Sequence, residues 1–270
     1  MQITNNKLKK EVWSKESYYK TAGEGSTDFD HPAMKKLVEI AAEFSRILDM
    51  GCGEGTRLNK LVTKNQKGYG IDISSKAIEI AKRKYPQLNF KTGDLEKLPF
   101  DDNEFDLVYS AFVFEHLDNP GKVIEEGIRV LKPGGKFLIV APNYGAPNRA
   151  SPPFKGNRLS KLVKGFVKDF LPSKNLSWNK VEPIADASGY KIDWDTTVEP
   201  YIGSLINFLK NCGLTVKFYS SCWELDLPSA GLLQKKFILL GRAGIYPFKN
   251  WGPHLVVIAE KPEITKISNF

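Results

Sequence analysis

A glycine-rich turn between two apolar segments is the first feature of this 270-residue chain that could do chemistry. Residues 49–56 read D-M-G-C-G-E-G-T after the apolar pair Ile47-Leu48, and Leu58, Leu61 and Val62 then recur at helical spacing. A strand, a glycine turn and a helix in this order present backbone N–H groups to a ligand at the helix N-terminus. Thr56 takes the place of the third glycine of a dinucleotide-binding turn, so the pattern is G-x-G-x-G.

Two carboxylates follow at the ends of predicted strands. Asp72 ends the segment 67–72, about 20 residues after the turn, where doubly wound folds place the acid that binds ribose hydroxyls. Asp94 lies just beyond the third predicted strand, which begins at Leu88. The alternatives are a helix-capping role for Asp72 and a turn role for Asp94. Asp49 is predicted to orient the backbone of the glycine turn, and Cys52 to pack there rather than act as a catalytic thiol.

Strands and helices alternate along the chain, which predicts a parallel α/β sheet with right-handed crossovers. Further strands are predicted at 105–110, 136–140, 214–219 and 254–259. A helix from Pro120 carries the buried residues Val123, Ile124, Gly127, Ile128 and Leu131, and the sequence K-P-G-G at 132–135 is expected to end it. A later helical stripe ends at Gly213, a typical C-cap residue.

These segments together resemble the class I S-adenosylmethionine-dependent methyltransferases, in the type 11-like subtype with L-D-x-G-C-G-x-G in the first turn. The matching segments lie at 48–55, 70–74, 93–100, 105–108, 115–117 and 131–135, in the order of the family, and the resemblance covers roughly residues 44–142. It implies a doubly wound, seven-stranded, mostly parallel sheet with an antiparallel last strand, plus inserted cap segments. It also implies S-adenosyl-L-methionine as cofactor and S-adenosyl-L-homocysteine as product.

The resemblance assigns roles to individual residues. Gly51, Gly53 and Gly55 would contact the amino-acid end and the ribose of the cofactor, and Asp72 would accept hydrogen bonds from both ribose hydroxyls. The adenine amino group would donate to Asp94, and Ile73 and Leu95 would flank the ring. The full predicted cofactor-binding set is Asp49, Gly51, Cys52, Gly53, Gly55, Asp72, Ile73, Asp94, Leu95 and Ser110.

Methyl transfer from a sulfonium is an in-line displacement, so the protein mainly holds the reacting atoms collinear in a dry site. A base is needed only where the acceptor must lose a proton. His116, just past the fourth predicted strand, is the predicted catalytic residue, and Glu115 is a similar candidate for the base. The alternative is a structural histidine bonded to the backbone.

Residues 110–113 read S-A-F-V, which narrows the range of possible methyl acceptors. They lack the Asn/Asp-Pro-Pro-aromatic turn that grips planar nitrogens, which disfavours methylation of nucleic-acid bases. Ser110 stands where metal-dependent relatives place an acidic ligand, so no metal site is predicted. The predicted acceptor is a small molecule, a glycan or a lipid-linked intermediate, with the methylated atom left open. The alternatives are a non-catalytic S-adenosylmethionine-binding protein, an aminopropyl-transferase-like enzyme and a nicotinamide-dependent enzyme.

Composition predicts a cytoplasmic enzyme, because 41% of residues are hydrophobic, 26% are charged and no apolar run reaches the length of a membrane span. The three cysteines lack the spacing of a disulfide framework or zinc site. The predicted segments are an N-terminal lid (1–43), a cofactor-binding core (44–142), an inserted basic cap (143–200) and a completion of the sheet (201–270). An apolar insertion at 221–252 should pack on the domain, meet a partner or contact an apolar substrate.

One part of the inserted cap, residues 149–180, has a net charge of +7, compared with +8 for the whole chain. Residues 149–180 contain eight Lys or Arg residues and one acid, Asp169. Apolar residues recur at 159, 162, 163, 166, 167 and 170, while Arg158, Lys161, Lys164 and Lys168 take other positions of the same helix. Either this is a lid helix with a solvated lysine face, or residues 155–170 contact an anionic acceptor or membrane surface.

Overall fold

The computed structural model describes residues 28–171, 173–184, 191–222 and 231–263. Their strands, in chain order, are β1 (Arg46–Met50), β2 (Lys67–Asp72), β3 (Asn89–Thr92), β4 (Phe105–Ala111), β5 (Leu131–Pro142), β6 (Asn179–Lys180), β7 (Val198–Glu199), β8 (Thr215–Ser220) and β9 (His254–Glu260). Seven of them form one sheet in the order β3-β2-β1-β4-β5-β9-β8, and β6 pairs with β7 separately. Only β9 runs antiparallel to its neighbours in the large sheet. The predicted fold is confirmed.

Helices cover both faces of this sheet. They are α1 (Pro32–Ala41), α2 (Thr56–Leu61), α3 (Ser75–Lys84), α4 (Pro120–Val130), α5 (Arg158–Phe170), α6 (Ile202–Asn211) and α7 (Leu232–Arg242), with a short 3-10 helix at Phe114–His116. One buried core includes side chains of α4 and α6, and the other includes side chains of α1, α2 and α3. Ser74 caps α3 by accepting a 3.2 Å hydrogen bond from the Ala77 amide, as its residue type favours.

The boundary between α4 and β5 differs from the prediction. Helix α4 ends at Val130, and Leu131 begins a strand in which it pairs with Phe105. Leu131 is therefore not a helical residue, and the segment 132–135 lies inside β5. Pro133 disfavours helical geometry at the preceding residue, so the chain becomes extended before the glycines are reached.

The order of the strands creates a crevice at their carboxyl ends. The chain passes from β1 to β2 on one side and places β4 on the other, which is the switch point where α/β sheets bind ligands. His254 begins β9 opposite Pro142, the last residue of β5, so it lies at the same edge. Among the described residues no helix combines the length and apolar character that a membrane span requires. Residues 1–27 of the predicted lid and 223–230 of the predicted apolar insertion lie outside the described residues.

Candidate cofactor and acceptor site

The glycine turn after β1 folds back on the end of β2. The amides of Gly51 and Cys52 donate to the Ile71 carbonyl at 2.8 and 3.0 Å. Gly51 has φ +82° and Gly53 has φ +53°, the left-handed region that favours glycine. A Cβ on Gly51 would lie 2.5 Å from a methyl group of Val113, the residue before the 3-10 helix. The turn therefore packs between the end of β2 and Val113.

Asp72 is held at the carboxyl end of β2 by two backbone amides. Its Oδ2 accepts from Gly53 at 2.9 Å, and its Oδ1 accepts from Ser74 at 2.9 Å. Burial raises the pKa of Asp72, while these two amides counteract part of that effect. Asp72 thus joins the turn to the second strand, and its role toward a ribose stays a prediction.

The residues predicted to surround an adenine ring lie at the ends of β2 and β3. Ile73 is 49% exposed although it directly follows a buried strand, and such a side chain gains from being covered by a flat ring. Asp94 is exposed and accepts a 2.9 Å hydrogen bond from the Glu96 amide, and Leu95 is buried. The glycine turn, the half-buried carboxylate of Asp72 and the exposed Ile73 fit a ribonucleoside cofactor such as S-adenosylmethionine.

Arg57, whose role was not predicted from the sequence, holds the glycine turn in place through hydrogen bonds. Its guanidinium is buried with Asp49, the Nη2–Oδ1 distance being 2.9 Å. It also donates to the carbonyls of Gly51 at 3.0 Å and Ala111 at 2.9 Å. Burial lowers the pKa of Arg57, but Asp49 outweighs this effect and the net pKa is raised. Asp49 therefore acts on the turn through Arg57, which links β1, the turn and β4.

Two other predicted cofactor residues face the interior. The Ser110 hydroxyl is buried and donates to the Met50 carbonyl at 2.8 Å. Burial raises the pKa of the Cys52 thiol well above its ordinary value, and Asp72 and Asp49 add to the effect. Both side chains stabilise the packing between the glycine turn and its strands, and their contact with a cofactor stays a prediction.

His116, the predicted base, lies within a cluster of carboxylates. Its Nδ1 is 3.4 Å from Asp195 Oδ1 and 3.3 Å from the Asp195 carbonyl, and its Nε2 is 3.8 Å from Glu115 Oε1. Asp193 adds a third carboxylate, which accepts a hydrogen bond from the Tyr144 hydroxyl. The side chain of His116 remains 11% exposed. Two short segments, 114–116 and 193–195, thus assemble one titratable cluster.

The pKa values of Glu115 and His116 are both raised in this cluster. Burial raises the pKa of Glu115 to about 7, with His116 opposing and Asp193 adding to the shift. Burial lowers the pKa of His116, but the attraction of Asp195, Glu115 and Asp193 outweighs it, so the net pKa is raised. Glu115 Oε2 is buried without a hydrogen-bond partner among the described residues. The titrations of Glu115 and His116 are therefore coupled.

Ligand atoms of Glu115, His116 and Asp193 lie within 4.8 Å of one another, which is compact enough to share a cation. The prediction that the chain has no metal site rested on Ser110 and on the spacing of the cysteines, not on this cluster, and it stays a prediction. Removal of metals is therefore a necessary control in any titration of this cluster.

A second aromatic and histidine group lies at the same edge of the sheet. The Nε2 of His31 and the Nδ1 of His254 are 3.1 Å apart, and both rings meet Phe112 edge-on. Burial lowers the pKa of His254 to about 3 and also lowers that of His31. Phe112 has φ +58°, an uncommon conformation for a large side chain. Both lowered pKa values favour neutral imidazoles, which pack against Phe112 at this edge of the sheet.

Sequence reasoning missed several of these residues because their partners are distant along the chain. Asp195 is 79 positions from His116, and His254 is 223 positions from His31. A local pattern could have drawn attention only to the acid pair at 193 and 195, and to Arg57 as a basic residue in the first turn of the helix that follows the glycine turn.

Comparison with known proteins agrees with this geometry. Residues 48–139 match the model of a family described as a methyltransferase domain. The chain is 34% identical over 103 residues to a demethylmenaquinone methyltransferase of Renibacterium salmoninarum, covering 37% of this chain and 44% of that protein. It is 29% identical over 181 residues to the chloroplastic tocopherol O-methyltransferase of Arabidopsis thaliana, covering 62% and 51%. The chain spans about half the length of the curated relatives it matches.

The fold is shared with solved structures. A crystal structure of an S-adenosylmethionine-dependent methyltransferase from Mesorhizobium loti aligns with a TM-score of 0.52 at 18% identity, covering 86% of this chain and 99% of that one. At this identity the likeness establishes the fold alone. The match over residues 48–139 includes the glycine turn, Asp72, Asp94 and His116.

Proposed function

The chain belongs to the class I S-adenosylmethionine-dependent methyltransferases, and on that premise we propose that it methylates a small-molecule acceptor. The observation that carries the proposal is the juxtaposition, across Val113, of the glycine turn and the cluster around His116. One side of this junction offers backbone and carboxylate groups to a nucleoside, and the other offers a histidine among carboxylates to an acceptor. The relatives named as a demethylmenaquinone methyltransferase and a tocopherol O-methyltransferase support a small molecule as the acceptor.

Within the proposed site, S-adenosylmethionine would supply a methyl group on a positively charged sulfur. Gly51, Gly53 and Gly55 would let the backbone approach its polar parts, and Asp72 would accept from the ribose. Asp94, Ile73 and Leu95 would hold the adenine end, while Asp49 acts through Arg57 on the turn. The main task of these residues is orientation, which can supply ~7–11 kcal/mol of rate acceleration.

We propose that His116 is the base for an acceptor that loses a proton. When Nδ1–H donates to the Asp195 carbonyl, the ring is held in the tautomer whose Nε2 is basic. The Asp195 carboxylate, 3.4 Å away, stabilises the imidazolium that forms on proton transfer. Phe112 and the pair His31 and His254 would add an aromatic ring and neutral imidazoles at the same edge of the sheet.

A glycan or lipid-linked molecule is the narrower proposal for the acceptor. A cavity of about 700 Å³ lies between α5 and α6, lined by aromatic, amide and lysine side chains that include Tyr201, Tyr219, Asn207, Asn250 and Lys164. Aromatic rings and amides are suited to sugars, and lysines to phosphates. Tyr144 connects this cavity to the cluster, because its carbonyl accepts from Lys161 at 2.8 Å while its hydroxyl donates to Asp193.

Asp72→Ala should weaken the binding of S-adenosylhomocysteine at least tenfold. The change removes charge-assisted bonds worth roughly 1.5–3 kcal/mol each, and ~1.4 kcal/mol is a factor of ten. It also removes the acceptor of the Gly53 amide. Isothermal titration calorimetry measures the change, and NAD should not bind to the parent or the variant.

Asp106→Ala is the matched control for Asp72→Ala. Asp106 also accepts a backbone amide bond, from Arg46 at 2.8 Å, but it lies near the opposite ends of the strands. This variant should bind S-adenosylhomocysteine like the parent. Equal affinity in the Asp72→Ala variant, or binding of NAD by the parent, would refute the cofactor assignment.

His116 should titrate with a pKa above 6.5, whereas His254 should have a pKa of about 3 and His31 a pKa below 6.5. Because carboxylates stabilise the imidazolium of His116, Asp195→Asn should lower its pKa. NMR spectra of the three histidine rings, recorded with EDTA and assigned with a His116→Asn variant, measure these values. A His116 pKa that does not respond to Asp195→Asn would contradict the proposed coupling.

The reaction itself is tested with methyl-labelled S-adenosylmethionine and a lysate of the source cells divided into aqueous and lipid fractions. Transfer of label that requires Asp72 would support the proposed activity, and the labelled fraction would distinguish a soluble from a lipid-linked acceptor. If His116 is the base, the rate should rise with pH through its titration, and His116→Asn should lose that rise. Cofactor binding without label transfer to any fraction would instead support the non-catalytic alternative.

A further inference from the structure

Helix α5 is oriented opposite to an ordinary surface helix. Its inner side, which meets the domain, carries Lys161, Gly165 and Asp169 at i, i+4, i+8 spacing. Its outer side carries the apolar residues, of which Leu159 is 69%, Phe166 47% and Phe170 62% exposed. Lys161 is the buried residue of this helix. Of the two alternatives given above, the lid helix whose apolar stripe packs on the domain and whose lysines face solvent does not fit these exposures.

Specific polar contacts hold the helix in this orientation. Lys161 is only 7% exposed, and its Nζ lies 2.5 Å from Glu199 Oε2, which belongs to β7. Glu199 also accepts from the amide and the hydroxyl of Ser151. A Cβ on Gly165 would lie 2.6 Å from Pro147, so the helix approaches the domain closely along this side. Rotating α5 to bury its apolar side would leave a buried carboxylate without its partner.

The apolar side of α5 continues onto the segment 245–251. Tyr246 and Trp251 donate to Asp169 Oδ2 at 3.0 and 2.9 Å, which fixes this segment against the helix. The Tyr246 ring lies 5.9 Å from Phe166 and 5.5 Å from Phe170. An entirely apolar groove of about 550 Å³ is lined by Leu162, Val163, Phe166, Val167, Tyr246, Pro247 and Trp251. We call α5 and this segment together the α5 face.

Exposed basic residues lie on α5 and in the segments that flank it along the chain. Lys155, Arg158, Lys164, Lys168, Lys174 and Lys180 are exposed, and the acid of this region, Asp169, is turned inward by its tyrosine and tryptophan donors. A helix is about 10 Å across, so its lysines lie within roughly one Debye length of any surface that touches its apolar side. Apolar and aromatic residues beside basic ones match the interface of an anionic bilayer.

We propose that the α5 face docks on the surface of an anionic lipid membrane, with Phe166, Phe170 and Tyr246 entering the boundary between headgroups and acyl chains. The lysines contribute attraction to anionic headgroups, and the apolar residues contribute burial. A second copy of the chain would cover the apolar residues, but it would also bring the basic residues of two α5 helices close together. Charge complementarity therefore favours the lipid surface. The inference does not depend on which molecule is methylated.

Co-sedimentation with vesicles of phosphatidylcholine alone, and with 30% phosphatidylglycerol, tests the proposal. The parent should partition onto the anionic vesicles and be released by salt. Lys164→Gln with Lys168→Gln should lower partitioning onto anionic vesicles about thirtyfold and leave that onto phosphatidylcholine unchanged. Phe166→Asn with Phe170→Asn should lower partitioning onto anionic vesicles at least tenfold.

Matched controls separate this face from general effects of charge and exposure. Lys82→Gln with Arg83→Gln removes the same charge from α3, and Val38→Asn replaces an exposed apolar residue of α1. Both should bind vesicles like the parent, and thermal unfolding verifies that every variant folds. The proposal is overturned if the parent does not bind anionic vesicles, or if the control substitutions weaken binding as much as the α5 substitutions do. It is also overturned if size-exclusion chromatography gives a dimer that Phe166→Asn with Phe170→Asn dissociates while vesicle binding is unchanged.

Discussion

Gly53→Val is expected to abolish binding of S-adenosylhomocysteine while leaving the protein folded. Gly53 has φ +53°, and a side chain there costs roughly 1–2 kcal/mol in backbone strain. Its amide is one of the two donors that hold Asp72 in place, so relief of the strain moves the carboxylate as well. A valine side chain would also occupy space where the proposed cofactor approaches the backbone. Calorimetry should detect no binding at concentrations that saturate the parent.

Gly213→Val is the matched control for this variant. Gly213 has φ +86° at the carboxyl end of α6, and no atom lies within 4 Å of a Cβ placed there. The control introduces a similar backbone strain at a position outside the glycine turn. It should therefore lower the free energy of unfolding by a similar amount and bind S-adenosylhomocysteine like the parent. Two results would contradict the proposed role of the turn: binding by Gly53→Val within threefold of the parent, or equal loss of binding in both variants.

The sheet could be predicted from the sequence because each of its parts has a local cause. Apolar runs of strand length, glycine turns and capping residues such as Ser74 act over a few positions, and the strand order follows from right-handed crossovers. The start of β5 was misplaced because apolar periodicity favoured a helical Leu131, whereas Pro133 and the pairing of Leu131 with Phe105 make the chain extended.

The site was predictable only where function depends on a local turn. Gly51, Gly53 and Asp72 lie at strand ends that any doubly wound sheet brings together. The cluster around His116 depends on Asp193 and Asp195, which an inserted segment delivers from far along the chain. For α5, periodicity indicates that the helix has an apolar side but not which side faces the domain. The orientation of the helix depends on the ion pair between Lys161 and Glu199 of β7.

Arg57→Met is expected to cost about 3–5 kcal/mol of the free energy of unfolding, because it leaves Asp49 buried without its partner. The carbonyls of Gly51 and Ala111 lose their donors in the same step. Urea unfolding measures the loss. Lys76→Met is the comparison, since Lys76 pairs with Glu79 at the surface and its removal should cost below about 0.5 kcal/mol.

Adding Asp49→Leu to Arg57→Met separates stability from function. The double variant no longer contains a stranded charge, so it should lose less stability than the sum of the two single variants. It should nevertheless bind S-adenosylhomocysteine about fivefold or more weakly than the parent, because no donor remains to fix the carbonyl of Gly51 beneath the turn. Parent-like affinity in a stable double variant would mean that the ion pair stabilises the fold without positioning the turn. Weak binding in a stable protein would instead establish Arg57 as a positioning residue of the cofactor site.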